Sequence, residues 1–185
     1  RSVTSGGGPL GYTGSIGYTG SVGVQQVVST ITGAVATGTT AIPFDDTIPQ
    51  NTEGDQYMTL SITPKSTTSK LVISVVVNGA CSAGNSVAAA LFQDSTANAL
   101  AVVKCALATN TLIENLKLEY SMTSGTTSAT TFKVRAGGAS GTSTFNGESS
   151  ARILGGALAS SITIDRKSTR LNSSHTDISR MPSSA

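Results

Sequence analysis

The sequence predicts an all-β protein: an antiparallel β-sandwich of jelly-roll type, preceded by a short collagen-like stem. Two observations predict the sandwich. Short apolar or alternating runs recur along 24–164, and turns rich in Gly, Pro, Asn and Ser separate them. Glycine at every third position near the start predicts the stem. The chain divides accordingly into a stem (1–23), a head domain (24–164) and a tail (165–185).

The stem is predicted from an unbroken glycine period of three, formed by Gly8, Gly11, Gly14, Gly17, Gly20 and Gly23. Only glycine fits the crowded axis of a three-chain collagen helix, whereas a flexible linker keeps no fixed spacing. The 16 residues of 8–23 would form a rod of only about 50 Å. Because this rod is short, we expect the head domain to hold three chains in register. A solvated linker is the alternative interpretation.

Seven runs of the head domain are predicted as strands: 57–63, 71–77, 87–92, 99–107, 112–120, 130–136 and 151–164. Met58, Leu60 and Ile62 alternate with polar residues, which is typical of a strand with one buried face. The run 71–77 is almost continuously apolar, which predicts a strand covered on both faces. Gly155-Gly156 predicts a bulge or a close backbone approach. For the alanine-rich 87–91, a helix is the weaker alternative.

The tail resembles the translation of a sequencing adapter. Asp165–His175 (DRKSTRLNSSH) and 179–185 (SRMPSSA) match the two constant parts of a common adapter codon by codon, at the right spacing. We therefore expect 165–185 to be an artefact of translation that is disordered and takes no part in the fold. Because the first residue is Arg1, we also expect an internal fragment of a longer reading frame.

The charge balance gives no support to a nucleic-acid partner. The chain has 12 basic and 10 acidic residues and a net charge of +2. The tail holds four of the basic and two of the acidic residues, so 1–164 is formally neutral. A neutral domain lacks the basic footprint that phosphate binding requires. No apolar run reaches the roughly 18 residues of a spanning helix, so we expect no membrane insertion.

Few residues of the head domain are suited to catalysis. The only histidine, His175, lies in the tail, so no Ser-His or Cys-His nucleophile is available. Asp45-Asp46 and Glu53 with Asp55 are the densest carboxylates, and they are either a calcium site, a glycosidase pair or turn caps. Their place between turn residues favours capping. We predict no enzyme activity, no catalytic residue, no metal and no cofactor.

Three further features leave alternatives open. Lys133 and Arg135 share the polar face of one predicted strand, where they are either solvated or available to an acidic glycan. The polar loop 93–98 is able to hydrogen-bond sugar hydroxyls, as any surface turn is. Cys81 and Cys105 fit no metal-binding spacing, and they are either reduced, partly buried thiols or a cross-strand disulfide.

Four runs resemble segments of phage tail-fibre and related virion structural proteins: 40–50 (TAIPFDDTIPQ), 61–66 (SITPKS), 90–95 (ALFQDS) and 131–135 (TFKVR). The Gly-Tyr-Thr-Gly-Ser repeats are similar to the stems of marine phage structural proteins. The resemblance covers 8–164. It implies a homotrimeric fibre of the virion, outside the cell, whose β-rich tip contacts a glycan or protein receptor on the host surface.

Two other functional hypotheses remain beside the virion fibre. A cellular surface adhesin or spore-coat filament, with a head similar to the complement C1q type, would have the same stem and the same all-β head. A polysaccharide depolymerase would need paired carboxylates in a groove and a longer repetitive β-helix, and the sequence shows neither.

Overall fold

A computed structural model describes residues 26–83, 86–106 and 112–167. The six stem glycines and residues 168–185 lie outside the described residues, so the stem remains a prediction. The strands are β1 (Gln26–Thr32), β2 (Ala36–Gly38), β3 (Asp55–Ile62), β4 (Lys70–Cys81), β5 (Ser86–Gln93), β6 (Ala101–Ala106), β7 (Glu114–Thr123), β8 (Thr130–Gly137), β9 (Ser143–Phe145), β10 (Gly147–Glu148), β11 (Ala151–Arg152) and β12 (Ser160–Lys167). A 3₁₀ turn spans Leu154–Gly156.

The strands form two antiparallel sheets packed face to face, together with the short hairpin β10-β11. In the first sheet the long strands follow the order β1-β12-β4-β7, and β9 and β2 extend it beside the end of β4. In the second sheet the order is β3-β8-β5-β6. The chain crosses repeatedly between the sheets, which is the connectivity of a jelly roll. The predicted antiparallel sandwich is thus confirmed.

The core lies between the inward faces of the two sheets. Alternate residues of β4 point inward and are fully buried, because side chains alternate between the faces of a strand. They belong to one apolar cluster with inward residues of the second sheet, among them Leu91, Phe132 and Val134. Burying each such side chain contributes about 1.5–3 kcal/mol. The helix alternative for 87–91 is wrong, since β5 pairs with β6 on one side and β8 on the other.

The prediction that 71–77 is covered on both faces is wrong for the described chain. Val72 and Val76 of β4 point outward and are only half-buried, because the side chains of adjacent strands shield them. The outward residues of the flanking strand β7 and of edge strand β1 are exposed. No further layer of the described residues lies over this face.

The predicted single strand over 151–164 is also wrong. It is divided into β11, the 3₁₀ turn and β12. Gly155 and Gly156 adopt φ angles of 64° and 90°, which end the extended conformation instead of forming a bulge. The predicted close approach is confirmed, because a Cβ on Gly33 would collide with the carbonyl of Gly156.

The first three residues of the tail belong to the sheet, which corrects the expectation that all of 165–185 is disordered. β12 continues through Asp165, Arg166 and Lys167 because its register with β1 and β4 continues to Gln26 and Lys70. The side chain of Arg166 follows the inward alternation and is buried. The head domain therefore extends at least to Lys167. Among the described residues, no helix has the length and apolarity needed to span a bilayer.

A buried hydrogen-bond network fixes one end of the first sheet. Asn146 is fully buried, has a φ of 54° and follows β9. Its Nδ2 donates to the carbonyls of Thr32 (2.7 Å) and Ala34 (3.1 Å), and its Oδ1 accepts from Ser160 Oγ (2.6 Å). Ser160 Oγ also accepts from the backbone N–H of Asn78 (2.9 Å). The network thus joins the ends of β1, β4 and β12.

The aromatic rings of Tyr57 and Phe145 connect the two sheets. The rings stack with centroids 4.7 Å apart and planes 4° from parallel. Tyr57 Oη is buried and has no hydrogen-bond partner among the described residues. Burial, with a smaller contribution from the charge of Asp55, raises the pKa of this phenol above its ordinary value of 10.0.

We expect Asn146→Ala to lower the free energy of unfolding by about 3 kcal/mol, because it leaves buried carbonyls unsatisfied and strains alanine at positive φ. Asn146→Gly tolerates that φ and should lose about 1 kcal/mol less. Urea unfolding of both variants separates the contribution of the hydrogen bonds from that of the backbone strain at positive φ. A loss below about 1 kcal/mol for Asn146→Ala would contradict the structural role of the network.

We expect Tyr57→Phe to stabilise the fold by about 1 kcal/mol at pH 7, because it removes an unsatisfied buried hydroxyl and keeps the ring stack. The raised folded-state pKa contributes stability that is present below pH 10.0 and lost as pH rises above it. The difference in free energy of unfolding between Tyr57→Phe and the wild type should therefore increase as the pH rises above 10.0. Urea unfolding at pH 7 and above pH 10.0 measures it, with Tyr120→Phe as the matched control. A destabilised Tyr57→Phe would show that the hydroxyl has a partner.

Candidate functional site

The segment 39–54, which connects β2 to β3, lies across the outer face of the second sheet. The backbone N–H of Ile42 donates to the carbonyl of Gly138, and that of Gly54 donates to the carbonyl of Ala41, both at 3.0 Å. Ile42 is fully buried at this position. Because the segment covers this face, β5 is buried on its outward side as well as on its core side.

Lys133 and Arg135 attach loops to this face, a role that neither of the two sequence-based alternatives included. Arg135 donates from Nε to the carbonyl of Glu53 (2.8 Å) and from Nη2 to that of Gly54 (2.7 Å). Lys133 Nζ donates to the carbonyl of Asp94 (2.8 Å). Both cations are therefore already bound to the backbone of their own chain.

The acidic residues of the segment stabilise turns, which confirms the capping interpretation of Asp45. Asp45 Oδ1 accepts from the backbone N–H (2.9 Å) and the Oγ1 (2.5 Å) of Thr47. These hydrogen bonds, the side-chain one above all, lower the pKa of Asp45. Glu53 Oε2 accepts from the backbone N–H of Gln50 at 3.0 Å. Asp46 is exposed on the same turn.

Asp55 lies at the start of β3 and fixes the beginning of the segment. Its two carboxylate oxygens accept from the backbone N–H of Thr40 (3.0 Å) and from Thr40 Oγ1 (2.9 Å). Within the described part of the chain, no group of three or more His, Cys, Asp or Glu side chains is placed to hold a metal. The two cysteines are free thiols, with Cys81 buried and Cys105 half-buried.

The polar loop 93–98 is bound to the same segment. Asn51 Nδ2 donates to the carbonyls of Ser95 (3.2 Å) and Thr96 (3.1 Å). Gln50 Nε2 donates to Asn98 Oδ1 at 3.0 Å. The carbonyls of Ser95 and Thr96 and the side chain of Asn98 therefore join the loop 93–98 to the segment 39–54.

A groove of about 340 Å³ remains open between the segment and β6. Residues 42–49 form one wall, Val102 and Lys104 of β6 form the other, and Ala88 of β5 lies between them. Phe44 is 37% exposed and Val102 is 42% exposed. The groove is therefore apolar along much of its length and accessible to a ligand.

Two opposite charges line this groove without pairing. Lys104 Nζ lies 4.9 Å from the centroid of the Phe44 ring, a cation–π contact. Such a contact contributes about 0.5–1 kcal/mol at an exposed site. Asp45 lines the groove as well, and no salt bridge joins it to Lys104 in the described chain. The groove thus offers one cationic donor and one anionic acceptor beside an apolar surface.

Sequence reasoning identified Asp45 but missed the other two residues of this site. Phe44 is an aromatic residue inside a polar turn, and Lys104 is the only charged residue in the apolar run 99–107. Each residue departs from the pattern of its neighbours, and this departure is the sequence feature that could have indicated a functional role. Their juxtaposition depends on the path of 39–54, which the sequence does not reveal.

The fold and site define a jelly-roll domain with a shallow mixed-charge groove. No family model and no curated protein matches the chain. Solved structures similar to it include dimeric latent PorU from Porphyromonas gingivalis, at 9% identity and TM-score 0.40 over 80% of this chain and 13% of that chain. They also include the infectious bursal disease virus Gt strain (14%, TM-score 0.39, 78% and 38%) and that virus's VP2 subviral particle (9%, TM-score 0.36, 78% and 38%). The chain spans less than two-fifths of the length of each of these three chains.

We expect Arg135→Met to loosen the segment 39–54, because two charge-assisted hydrogen bonds to its backbone are lost. Amide exchange at Ile42 and Gly54 should become about tenfold faster. Lys133→Met is the matched control, because it removes a cation from the same strand face. Lys133 binds the loop 93–98 and not the segment 39–54. Unchanged exchange at both amides in Arg135→Met would show that the guanidinium does not hold the segment.

Proposed function

We propose that the chain is the head of a homotrimeric virion fibre that attaches to a host surface by binding, without chemistry. The observation that carries this proposal is the outer face of the first sheet. Apolar side chains of β1 and β4 point outward on either side of the polar residues of β12, although no layer of the described chain covers them. A second copy of the chain is the simplest partner for such a face.

The register of the sheet places the outward apolar residues in rows. Ile31 of β1 and Val76 of β4 lie on either side of Ser161 of β12. Val27 and Val72 lie in the same way on either side of Asp165. Ile31 is 70% exposed and Val27 is 59% exposed.

Short side chains separate the two rows, so this part of the face is flat. Ser29, Thr163 and Ser74 form the row between them. Ser29 Oγ and Thr163 Oγ1 hydrogen-bond each other at 3.0 Å, which leaves their methyl and methylene groups for contact. Burial of apolar area contributes about 25 cal/mol per Å².

The predicted stem makes three the expected number of copies, because a collagen-like helix needs three chains. Association through the first sheet would leave the groove of the second sheet exposed on the opposite face of each sandwich. Three grooves on one assembly would strengthen weak contacts with a surface through multivalency. The capping roles of Asp45, Glu53 and Asp55 support binding over hydrolysis.

We expect sedimentation equilibrium of the full chain to give three times the chain mass. Ile31→Asp should shift the population to monomer, because it places a charge in the proposed contact. Leu154→Asp is the matched control, since Leu154 is equally exposed (71%) but belongs to the 3₁₀ turn and not to the strands that form this face. A monomeric wild-type chain, or a trimer that Ile31→Asp leaves intact, would refute the proposed interface.

A further inference from the structure

We propose that the groove between 42–49 and β6 binds a neutral pyranose sugar, the terminal residue of a surface glycan. The biological setting rests on the proposed function, whereas the chemistry rests on the groove itself. The volume of about 340 Å³ lies at the lower end of the range for small-molecule sites, about 300–1,000 Å³. It suits a single sugar residue better than an extended chain.

The two charges select against most other ligands of this size. A simple anion would be attracted by Lys104 but repelled by Asp45, and the reverse holds for a simple cation. A wholly apolar ligand would strip water from both charges without replacing its hydrogen bonds. A polyol satisfies both groups, because its hydroxyls accept from the ammonium and donate to the carboxylate.

The hydrogen bonds from Thr47 prepare Asp45 for this role. They hold the carboxylate in place, and they lower its pKa because they stabilise the charged form. Both bonds go to Oδ1. The contact with the Phe44 ring likewise restrains Lys104, which reduces the entropy lost when a ligand binds.

The apolar part of the groove matches the C–H face of a pyranose ring. The exposed parts of Phe44 and Val102 lie on opposite walls, and Pro49 adds a rigid apolar surface. A sugar ring with hydroxyls at its rim and C–H groups on its face is amphipathic in the same way. The groove therefore complements a sugar in both shape and polarity.

The groove lies at the end of the sandwich away from the start of β1. The connection 63–69 joins the end of β3 to the start of β4 at the same end of the sandwich as Gln26, where β1 begins. Ala88 and its partner Lys104 lie at the opposite end, next to Gly137 of β8. A stem preceding Gln26 would thus present the groove outward.

Saturation-transfer NMR of the full chain with methyl glycosides of glucose, galactose, mannose and N-acetylglucosamine tests this proposal. We expect transfer to at least one of them. Lys104→Gln and Phe44→Ala should each weaken binding about tenfold, which corresponds to the loss of one charged or aromatic contact. Lys65→Gln removes the same charge from an exposed loop at the other end and should bind as the wild type does. Thermal unfolding verifies that each variant is folded.

The outcomes separate this inference from the proposed function. If the chain is a trimer and shows no saturation transfer to any of the four glycosides, the proposed sugar site is refuted but the proposed fibre head is not. Binding that Lys104→Gln and Phe44→Ala leave unchanged in folded protein also overturns it, because the sugar would then lie elsewhere. A monomer whose glycoside binding depends on Lys104 and Phe44 supports the sugar site and refutes the trimer.

Discussion

The buried hydrogen bonds of Asn146 are the constraint on which the two faces of this molecule depend. They fix the ends of β1, β4 and β12 relative to one another where the chain turns between β9 and β10. A side-chain amide can satisfy two carbonyls and a hydroxyl at once, and asparagine also tolerates positive φ. Because β12 is held between β1 and β4, the outward residues of all three strands align. A shift of one residue in β12 would turn its outward side chains into the core.

The sequence predicts the regular part of this fold well, because period-two alternation is a local consequence of one buried face. Met58 and Ile62 in β3 are buried as their alternation implies, as are Phe132 and Val134 in β8. The strand β1 was not predicted individually. Its inward residues are only half-buried at an edge, so its pattern contrasts weakly with its surroundings. The end of β12 was excluded on its resemblance to an adapter, although its alternation continued.

The candidate groove could not be predicted from the sequence, because its residues come together only through contacts between distant parts of the chain. Asp45 was identified as a turn cap, which needs only the Thr47 that lies two residues along the chain. Phe44 and Lys104 meet only because 39–54 crosses the second sheet, and Arg135 holds that crossing through carbonyl oxygens. Every residue has a backbone carbonyl, so the sequence does not show which carbonyls accept a hydrogen bond from a given side chain. The polar strand face of Lys133 and Arg135 therefore has the same pattern whether it binds water, a ligand or another part of the chain.

The two outer faces of the sandwich differ in how much of each is covered by the chain itself. The second sheet is covered by its own segment, so apolar residues on the outward side of β5 are buried. The first sheet has no such cover in the described chain, yet Val27, Ile31, Val72 and Val76 point outward from it. Outward residues of β7 are polar or charged, so the sheet does not require apolar ones there. The outward apolar residues are confined to β1 and β4, and the proposed contact between copies rests on this distribution.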